Sequence, residues 1–263
     1  MLGRFRVSDV PGEKHFGAAG EVEPAGEVYL EPISIDAPND ALQMRVYLMP
    51  RSSAGADAPG APGRDLTALI AHDKTVEEVR LAAGEHVATS TFEIDLNQGS
   101  VSHYPLDSYV ARLGVALMDG KSSLRLPTEI TIWEGVLGYR LQTMAGPGAD
   151  PDDVELTIGI GRSGAYALFA LCAYGAMVAI ALCALIIGAL TFAGVRQAEM
   201  SQVGSLAAMA FALPVLRDAL PGLPPLGVEA DMWVFLWTEL VVVLALSLAV
   251  YKWARTGPGP GES

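Results

Sequence analysis

The sequence predicts an α+β membrane protein, in which an N-terminal all-β sandwich precedes a bundle of three transmembrane helices. Two observations predict this class. Short strand-like segments separated by turn residues recur at roughly ten-residue spacing in the N-terminal part, which is typical of a β-sandwich. Three long apolar stretches are confined to the C-terminal part. The two patterns do not overlap, so they predict two structural regions.

The apolar stretches cover residues 166–195, 200–216 and 232–253. A helix needs roughly 20 apolar residues to cross the hydrocarbon core of a bilayer. The outer two stretches meet this length, and the middle one is slightly short. We therefore expect three helices in a transmembrane domain of residues 164–254.

The strand-like segments assign residues 26–163 to the β-sandwich, with a closed barrel as the alternative architecture. Residues 42–49 illustrate the pattern, because apolar and polar side chains alternate in their first half. The Gly-, Glu- and Pro-rich residues 1–25 predict a flexible N-terminal segment, and residues 255–263 predict a disordered tail.

The net charge of −13 argues against binding to nucleic acid and against electrostatic binding of a polybasic surface to anionic lipid headgroups. Both cysteines, Cys172 and Cys183, lie eleven residues apart in the first apolar stretch, or about 16 Å along a helix, so they cannot pair with each other. The expected partners are membrane lipid around the helices and an envelope protein or further copies of the chain.

Basic residues near the helix ends predict the orientation, because cytoplasmic loops carry an excess of Lys and Arg. Arg196, Lys252 and Arg255 share one side of a three-helix topology, and Arg162 and Arg217 share the other. This distribution places the C-terminus in the cytoplasm and the β-sandwich outside it.

A turn-like segment, Tyr-Pro-Leu-Asp-Ser-Tyr, contains the first set of candidate residues, Tyr104, Pro105, Asp107 and Tyr109. Proline cannot donate a ladder hydrogen bond, so Pro105 predicts a turn or the start of a strand. Asp107 is expected to cap nearby backbone N–H groups. The segment is interpreted as a structured corner, with a functional site as the alternative.

A charged group forms the second candidate set, Arg217, Asp218, Asp231 and Glu239, around the second and third helices. Glu239 lies about 10 Å into the third helix. An acidic side chain at a helix centre costs about 3 kcal/mol on insertion scales, so it needs a partner, a proton or a wet cavity. Arg217 is the nearest candidate partner. The pair is either an interhelical clasp or a proton or ligand site.

Aromatic residues mark both ends of the third helix. About 30 Å separates the two ends, which matches the thickness of the hydrocarbon core, so these residues are expected to be anchors at the membrane interface. They are Trp233, Trp237, Tyr251 and Trp253.

No pattern in the sequence predicts catalysis, a metal or a cofactor. The four histidines, His15, His72, His86 and His103, have no metal-site spacing. The chain carries no Walker loop, nucleophile elbow or dinucleotide fingerprint. We therefore expect a protein that is not an enzyme.

Together, the Tyr-Pro corner, the segment 212–227, Asp231 and residues 235–239 resemble a family of bacterial membrane proteins, mostly actinobacterial, known as domain of unknown function 4436. The resemblance covers most of the chain from about residue 26. It implies a location in the plasma membrane and an exported β domain. The family usually has an earlier transmembrane helix, and residues 1–8 contain no signal-peptide core, so the true start is expected upstream. The alternatives are that the first helix translocates its own N-terminal tail, or that the β domain is cytoplasmic.

The corner also resembles the Tyr/Phe-Pro-x-Asp corner of pentameric ligand-gated channels, whose β-sandwich precedes four membrane helices. None of the three apolar stretches here shows a regular polar stripe.

These observations predict a membrane protein of the cell envelope whose extracytoplasmic β-sandwich binds a partner. A transporter or channel-like component that uses Glu239 and Arg217 is the alternative, and a membrane-embedded enzyme is the third possibility.

Overall fold

The computed structural model describes residues 12–17, 24–51, 63–96, 98–122, 124–147 and 153–256. The β-strands of this part of the chain are β1 Glu13–Gly17, β2 Gly26–Asp36, β3 Ala41–Pro50, β4 Leu66–His72, β5 Thr75–Leu81, β6 Ala88–Asp95, β7 Gln98–Gly99, β8 Ser108–Asp119, β9 Arg125–Leu126, β10 Thr128–Trp133, β11 Gly135–Val136, β12 Tyr139–Pro147 and β13 Val154–Arg162. The helices are α1 Gly164–Phe192, α2 Met200–Asp218 and α3 Leu236–Thr256.

The strands form two sheets, as expected for a sandwich. One sheet has the order β1-β10-β2-β3-β6, and its β10–β2 pair is parallel. The other has the order β11-β12-β13-β8-β4-β5, with β7 and β9 also paired to β8. Strands distant in sequence are therefore neighbours in both sheets.

The inward faces of the strands carry an apolar core, and β3 shows its alternation most clearly. In β3, Leu42, Met44, Val46 and Leu48 are fully buried, and the residues between them are partly exposed. An antiparallel strand with one face in the core produces this period of two. The predicted all-β sandwich is confirmed.

The expected boundaries need two corrections. Part of the segment expected to be flexible, Glu13–Gly17, forms β1 and pairs with β10. This strand is short and charged, as edge strands commonly are, so it lacks the apolar alternation that identifies core strands. At the other end, α3 continues to Thr256, and residues 257–263 of the expected tail lie outside the described residues.

Three helices in the described residues are long and apolar enough to cross a membrane, namely α1, α2 and α3 with the π-helical turn Asp231–Phe235 that precedes it. The first ends at Phe192 rather than at residue 195 because Gly194 adopts a φ of 76°. The N–H of Gly194 then donates to the Thr191 carbonyl and that of Val195 to the Leu190 carbonyl. This pattern is the Schellman motif, which terminates a helix.

A seam of small residues joins α1 and α3. The buried residues of α1 recur at alternating steps of four and three, as in a coiled coil, and are Ala170, Tyr174, Met177, Ala181, Ala184, Gly188 and Thr191. A Cβ on Gly188 would lie 2.8 Å from the Ala245 Cβ, so only glycine permits this approach. Small residues allow such close packing in membranes.

The chain divides into two compact units. Among the described residues, the first contains those from 12 to 100 and from 107 to 163, and the second contains Val101–Leu106 together with residues 164–256. The loop Val101–Leu106, which the sequence assigned to the sandwich, thus belongs to the helical unit. The chain enters the helical unit after β7 and returns to the sandwich before β8.

Candidate functional site

The predicted corner is divided between the two units. Tyr104 is buried in the core of the helical unit, and its hydroxyl donates a hydrogen bond of 3.1 Å to the carbonyl of Pro221. Pro105 follows through a cis peptide bond. His103, in the same loop, has its Nδ1 3.1 Å from Glu229 Oε1. Both partners belong to residues 219–230, which we call the connector because they join α2 to the turn before α3.

Asp107 belongs to the sandwich and is fully buried. Its Oδ1 accepts a hydrogen bond of 2.6 Å from Arg162 Nε, and its Oδ2 accepts one of 2.8 Å from the Tyr109 hydroxyl. Both carboxylate oxygens therefore bind side chains, an arrangement that the expectation of a backbone cap did not include. Burial, followed by the hydrogen bond from Tyr109 to Asp107, raises the pKa of the Tyr109 phenol.

Arg162 was not among the predicted site residues, although it completes this cluster. Its guanidinium carbon lies 5.1 Å from the centre of the Tyr139 ring, within the range of a cation–π interaction. Arg162 is the last residue of β13, and α1 begins two residues later. Its position before an apolar helix was visible in the sequence, but its partner was not.

Arg217 forms a buried ion pair with Asp231, not with Glu239 as the sequence indicated. Arg217 Nη2 donates to Asp231 Oδ2 at 2.8 Å and to the carbonyls of Pro224 and Pro225 at 2.8 and 2.9 Å. The backbone N–H of Gly227 also donates to Asp231 Oδ2, at 3.3 Å. The guanidinium thus fixes the path of the connector.

Tyr174 of α1 completes this cluster, because its hydroxyl donates to Asp231 Oδ1 at 3.0 Å. Sequence analysis missed this residue, whose only signal was a phenol in the interior of an apolar stretch. Asp218, by contrast, is 80% exposed, and its Oδ1 lies 4.0 Å from Arg217 Nη1. The structure therefore unites Arg217 and Asp231 and leaves Asp218 at the surface.

Glu239 lies in the first turn of α3 and is partly buried. Its Oε2 is buried and has no hydrogen-bond partner among the described residues. The predicted clasp between Arg217 and Glu239 is wrong, because Arg217 donates to Asp231 and to two connector carbonyls.

The four aromatic residues expected at the membrane interface are all exposed. The exposed fractions are 76% for Trp233, 57% for Trp237, 48% for Tyr251 and 37% for Trp253. Tyr251 also contacts Arg255, whose guanidinium carbon lies 4.8 Å from the ring centre. Exposure of rings at both ends of α3 is what an anchoring role requires.

Helix α2 exposes small residues and two serines in the half nearest its N-terminus. Exposed positions recur at helical spacing and include Ser201, Gly204, Ser205, Ala208 and Phe211. The exposed positions of α1 also include small residues, for example Gly175 and Ala179, besides large aliphatic ones. The two serines set α2 apart, but they do not form a regular polar stripe.

The sandwich contains a groove of about 810 Å³ at the edge formed by β12. Lys14, Trp133, Glu134, Leu137, Tyr139 and Thr143 are among the residues that line it. Lys14 Nζ lies 2.9 Å from Glu134 Oε1, and the same carboxylate oxygen accepts the backbone N–H of Thr143. Ligand sites are commonly concave surfaces of this size with a few polar groups. None of these residues was predicted as a site, because their proximity depends on strand pairing.

Among the residues that the structure describes, no group of three or more His, Cys, Asp or Glu side chains could hold a metal ion.

The fold and these clusters define an α+β protein with a β-sandwich and three helices able to span a membrane. A family model described as Domain of unknown function (DUF4436) matches residues 18–158, more than half of the chain. The protein belongs to this family, and of the motifs that indicated it the Tyr-Pro corner lies within the match. A second model, Domain of unknown function (DUF8686), matches residues 162–256, the helical part. The search of curated proteins found no match.

Proposed function

We propose that this protein is a non-enzymatic membrane receptor of the bacterial cell envelope. Its β-sandwich binds a partner outside the cytoplasm, and the loop Val101–Leu106 passes the state of the sandwich to the connector. Lipid surrounds the helices, and the C-terminus lies in the cytoplasm.

One observation carries the proposal. Tyr104 is buried in the helical unit and donates to the carbonyl of Pro221, whereas Asp107 is buried in the sandwich and binds Arg162. The three residue steps from Tyr104 to Asp107 span at most about 10 Å even when fully extended, so they absorb little displacement. A shift at the start of β8 would therefore act on the connector through Tyr104 and on the start of α1 through Arg162.

The basic residues near the helix ends support the proposed orientation. Basic residues determine topology by their excess on the cytoplasmic side. Arg196, Lys252 and Arg255 share one side of a three-helix topology, and Arg162 and Arg217 share the other. This excess favours a cytoplasmic position for the side that carries Arg196, Lys252 and Arg255.

A photo-crosslinking amino acid in the groove tests the binding role. We would place it at Leu137, which is 86% exposed at the groove, and at Val76, which is 55% exposed on β5, as the control. In native membranes the Leu137 position should yield a discrete adduct that the Val76 position does not. The same adducts from both positions, or none from Leu137, would contradict a binding role for the groove.

A second candidate function, an ion pathway, is favoured by the two serines that α2 exposes, Ser201 and Ser205. Lipid-facing helices are normally apolar on their exposed side, whereas a water-filled path requires polar groups. Several copies of α2 around a central axis would form such a path. Arg217 is paired with Asp231 in a buried position, so the proposed pathway involves the exposed face of α2 rather than Arg217 and Glu239, which the sequence indicated.

Ion flux into proteoliposomes tests the second candidate. Ser205→Cys, in a Cys172→Ser, Cys183→Ser background, should make the flux sensitive to a thiol reagent, and Leu182→Cys on α1 should not. No flux through the unmodified protein would remove the ion pathway and would leave the receptor proposal in place.

A further inference from the structure

We infer that the edge of β12 is a docking site for an extended peptide segment of a partner protein, which adds a strand to the sheet. The inference rests on the proposed binding role of the sandwich and names the class of its ligand.

Most of the outer edge of β12 has no neighbouring strand among the described residues. β11 pairs only with Tyr139 and Arg140, and β13 occupies the opposite edge. In an antiparallel pair, alternate residues direct both their N–H and their C=O away from the partner strand. The Thr143 N–H points away from β13, because it donates to Glu134. By the same alternation, the backbone groups of Leu141 and Ala145 point to the outer edge.

Two side chains occupy the place of a missing strand at Thr143. The Glu134 carboxylate accepts the Thr143 N–H at 2.5 Å, and the Lys14 ammonium donates to the Thr143 carbonyl at 3.4 Å. A carboxylate next to an ammonium group thus substitutes for the C=O and N–H of a neighbouring strand. Both side chains can move aside without breaking the β12–β13 ladder. An incoming strand would therefore displace this pair and leave the sheet intact.

The groove beside this edge supplies contacts for the side chains of such a strand. Leu137 and Met144 line it and are 86% and 68% exposed, so they offer apolar contacts. The Thr143 side chain also lines the groove and is only 4% exposed, yet its Oγ1 has no hydrogen-bond partner among the described residues. Backbone pairing along an edge with adjacent pockets is the mode in which sheets bind extended peptides.

A library of random linear dodecapeptides displayed on phage tests the inference, selected on the full-length protein in detergent micelles. Ala145→Pro removes one outward N–H and keeps the apolar character of the strand, and proline is tolerated on edge strands. We expect this variant to lower the affinity of the selected peptides at least tenfold. Val76→Pro, on β5 at the opposite edge of the sheet, is the matched control and should leave the affinity unchanged.

A gain of affinity provides a second readout that a folding defect would not produce. Glu134→Ala frees the Thr143 N–H, so it should raise the affinity of the same peptides severalfold. In the complex, the amides of Leu141 and Ala145 should exchange hydrogen more slowly than in the free protein.

Two results would overturn the inference. Peptides that bind equally to the wild type and to Ala145→Pro would show that the sandwich binds peptide elsewhere, and the binding role would stand. A failure to select any peptide, together with a discrete crosslinked adduct at Leu137, would exclude peptide as the ligand and would also leave that role in place. A failure of both selection and crosslinking would contradict the proposed function itself.

Discussion

The Arg162 side chain donates to Asp107 Oδ1 at 2.6 Å, and both side chains are almost completely buried. This ion pair joins the end of β13, which leads into α1, to the segment that follows the loop Val101–Leu106. Breaking a buried pair by removal of one partner commonly costs about 3–5 kcal/mol. The pair therefore holds the chain at the point where it leaves the sandwich.

Arg217→Gln should strongly destabilise the helical unit. The substitution leaves Asp231 buried without its cation and two connector carbonyls without their donor, a loss of about 3–5 kcal/mol for a buried charge. Thermal unfolding in detergent measures the effect. Asp218→Asn is the control, because this side chain is exposed and its Oδ1 lies 4.0 Å from Arg217 Nη1, beyond hydrogen-bond distance. Loss of its charge should change stability by less than about 0.5 kcal/mol. Equal effects of the two substitutions would contradict the assigned ion pair.

Glu239→Gln should be tolerated, and its effect should add to that of Arg217→Gln. Neutralisation removes the free-energy cost of a carboxylate in apolar surroundings. Glu239 also takes no part in the hydrogen bonds of Arg217. Residues without common partners usually show additive effects within about 0.5 kcal/mol. We would compare the two single variants with the double variant by thermal unfolding. A double variant that is clearly more stable than the summed effects of the two single variants predict would show that Arg217 and Glu239 interact after all.

Gly188→Ala should destabilise the pairing of α1 with α3. The new methyl group would lie 2.8 Å from the Ala245 Cβ and 2.9 Å from its Cα, and overpacking of this kind costs about 1–3 kcal/mol. Gly175→Ala is the matched control, since no atom lies within 4 Å of the added carbon. The melting temperature in detergent should fall for the first variant only. A fall of the same size for both would mean that helix backbone effects, not the seam, are responsible.

Single cysteines at Leu137 and Arg196 should lie on opposite sides of the membrane. Both positions are exposed, and the background would carry Cys172→Ser and Cys183→Ser. In intact cells a membrane-impermeant maleimide should label Leu137→Cys, and it should label Arg196→Cys only after permeabilisation. Labelling of both without permeabilisation would refute the proposed topology.

The sandwich and the helices could be predicted because their signals are local. Alternation along β3 and the length of the apolar stretches each depend on one segment of the chain. The seam of α1 could be predicted only in part, because both faces of the helix are apolar. Small side chains indicate Gly188, which packs against Ala245, but they indicate Gly175 and Ala176 equally, and these two are exposed.

The site was predicted in part. Arg217, Asp231 and the corner were identified as unusual groups, but their partners depend on how the chain returns on itself. The connector turns back through residues with positive φ, Gly222, Leu223 and Gly227, and so brings Asp231 to Arg217. Distance along a helix, which pointed to Glu239, contains no information about this path. The groove depends in the same way on the pairing of β1 with β10, and β1 had no signal in the sequence.

Hydrogen exchange in the connector of the Asp107→Asn variant tests the central claim most directly. The substitution weakens the ion pair that joins Asp107, just before β8, to Arg162. The full-length variant in detergent would be compared with the full-length Thr131→Val variant. This control removes a buried hydroxyl of β10, in the sheet that does not contain β8, which donates to Glu27 of the neighbouring strand β2 at 2.7 Å. If the loop Val101–Leu106 relays the state of the sandwich, Asp107→Asn should accelerate exchange at Leu223, Gly227 and Val228 severalfold, and Thr131→Val should not. Unchanged exchange at these amides, with faster exchange at the start of β8, would contradict the relay.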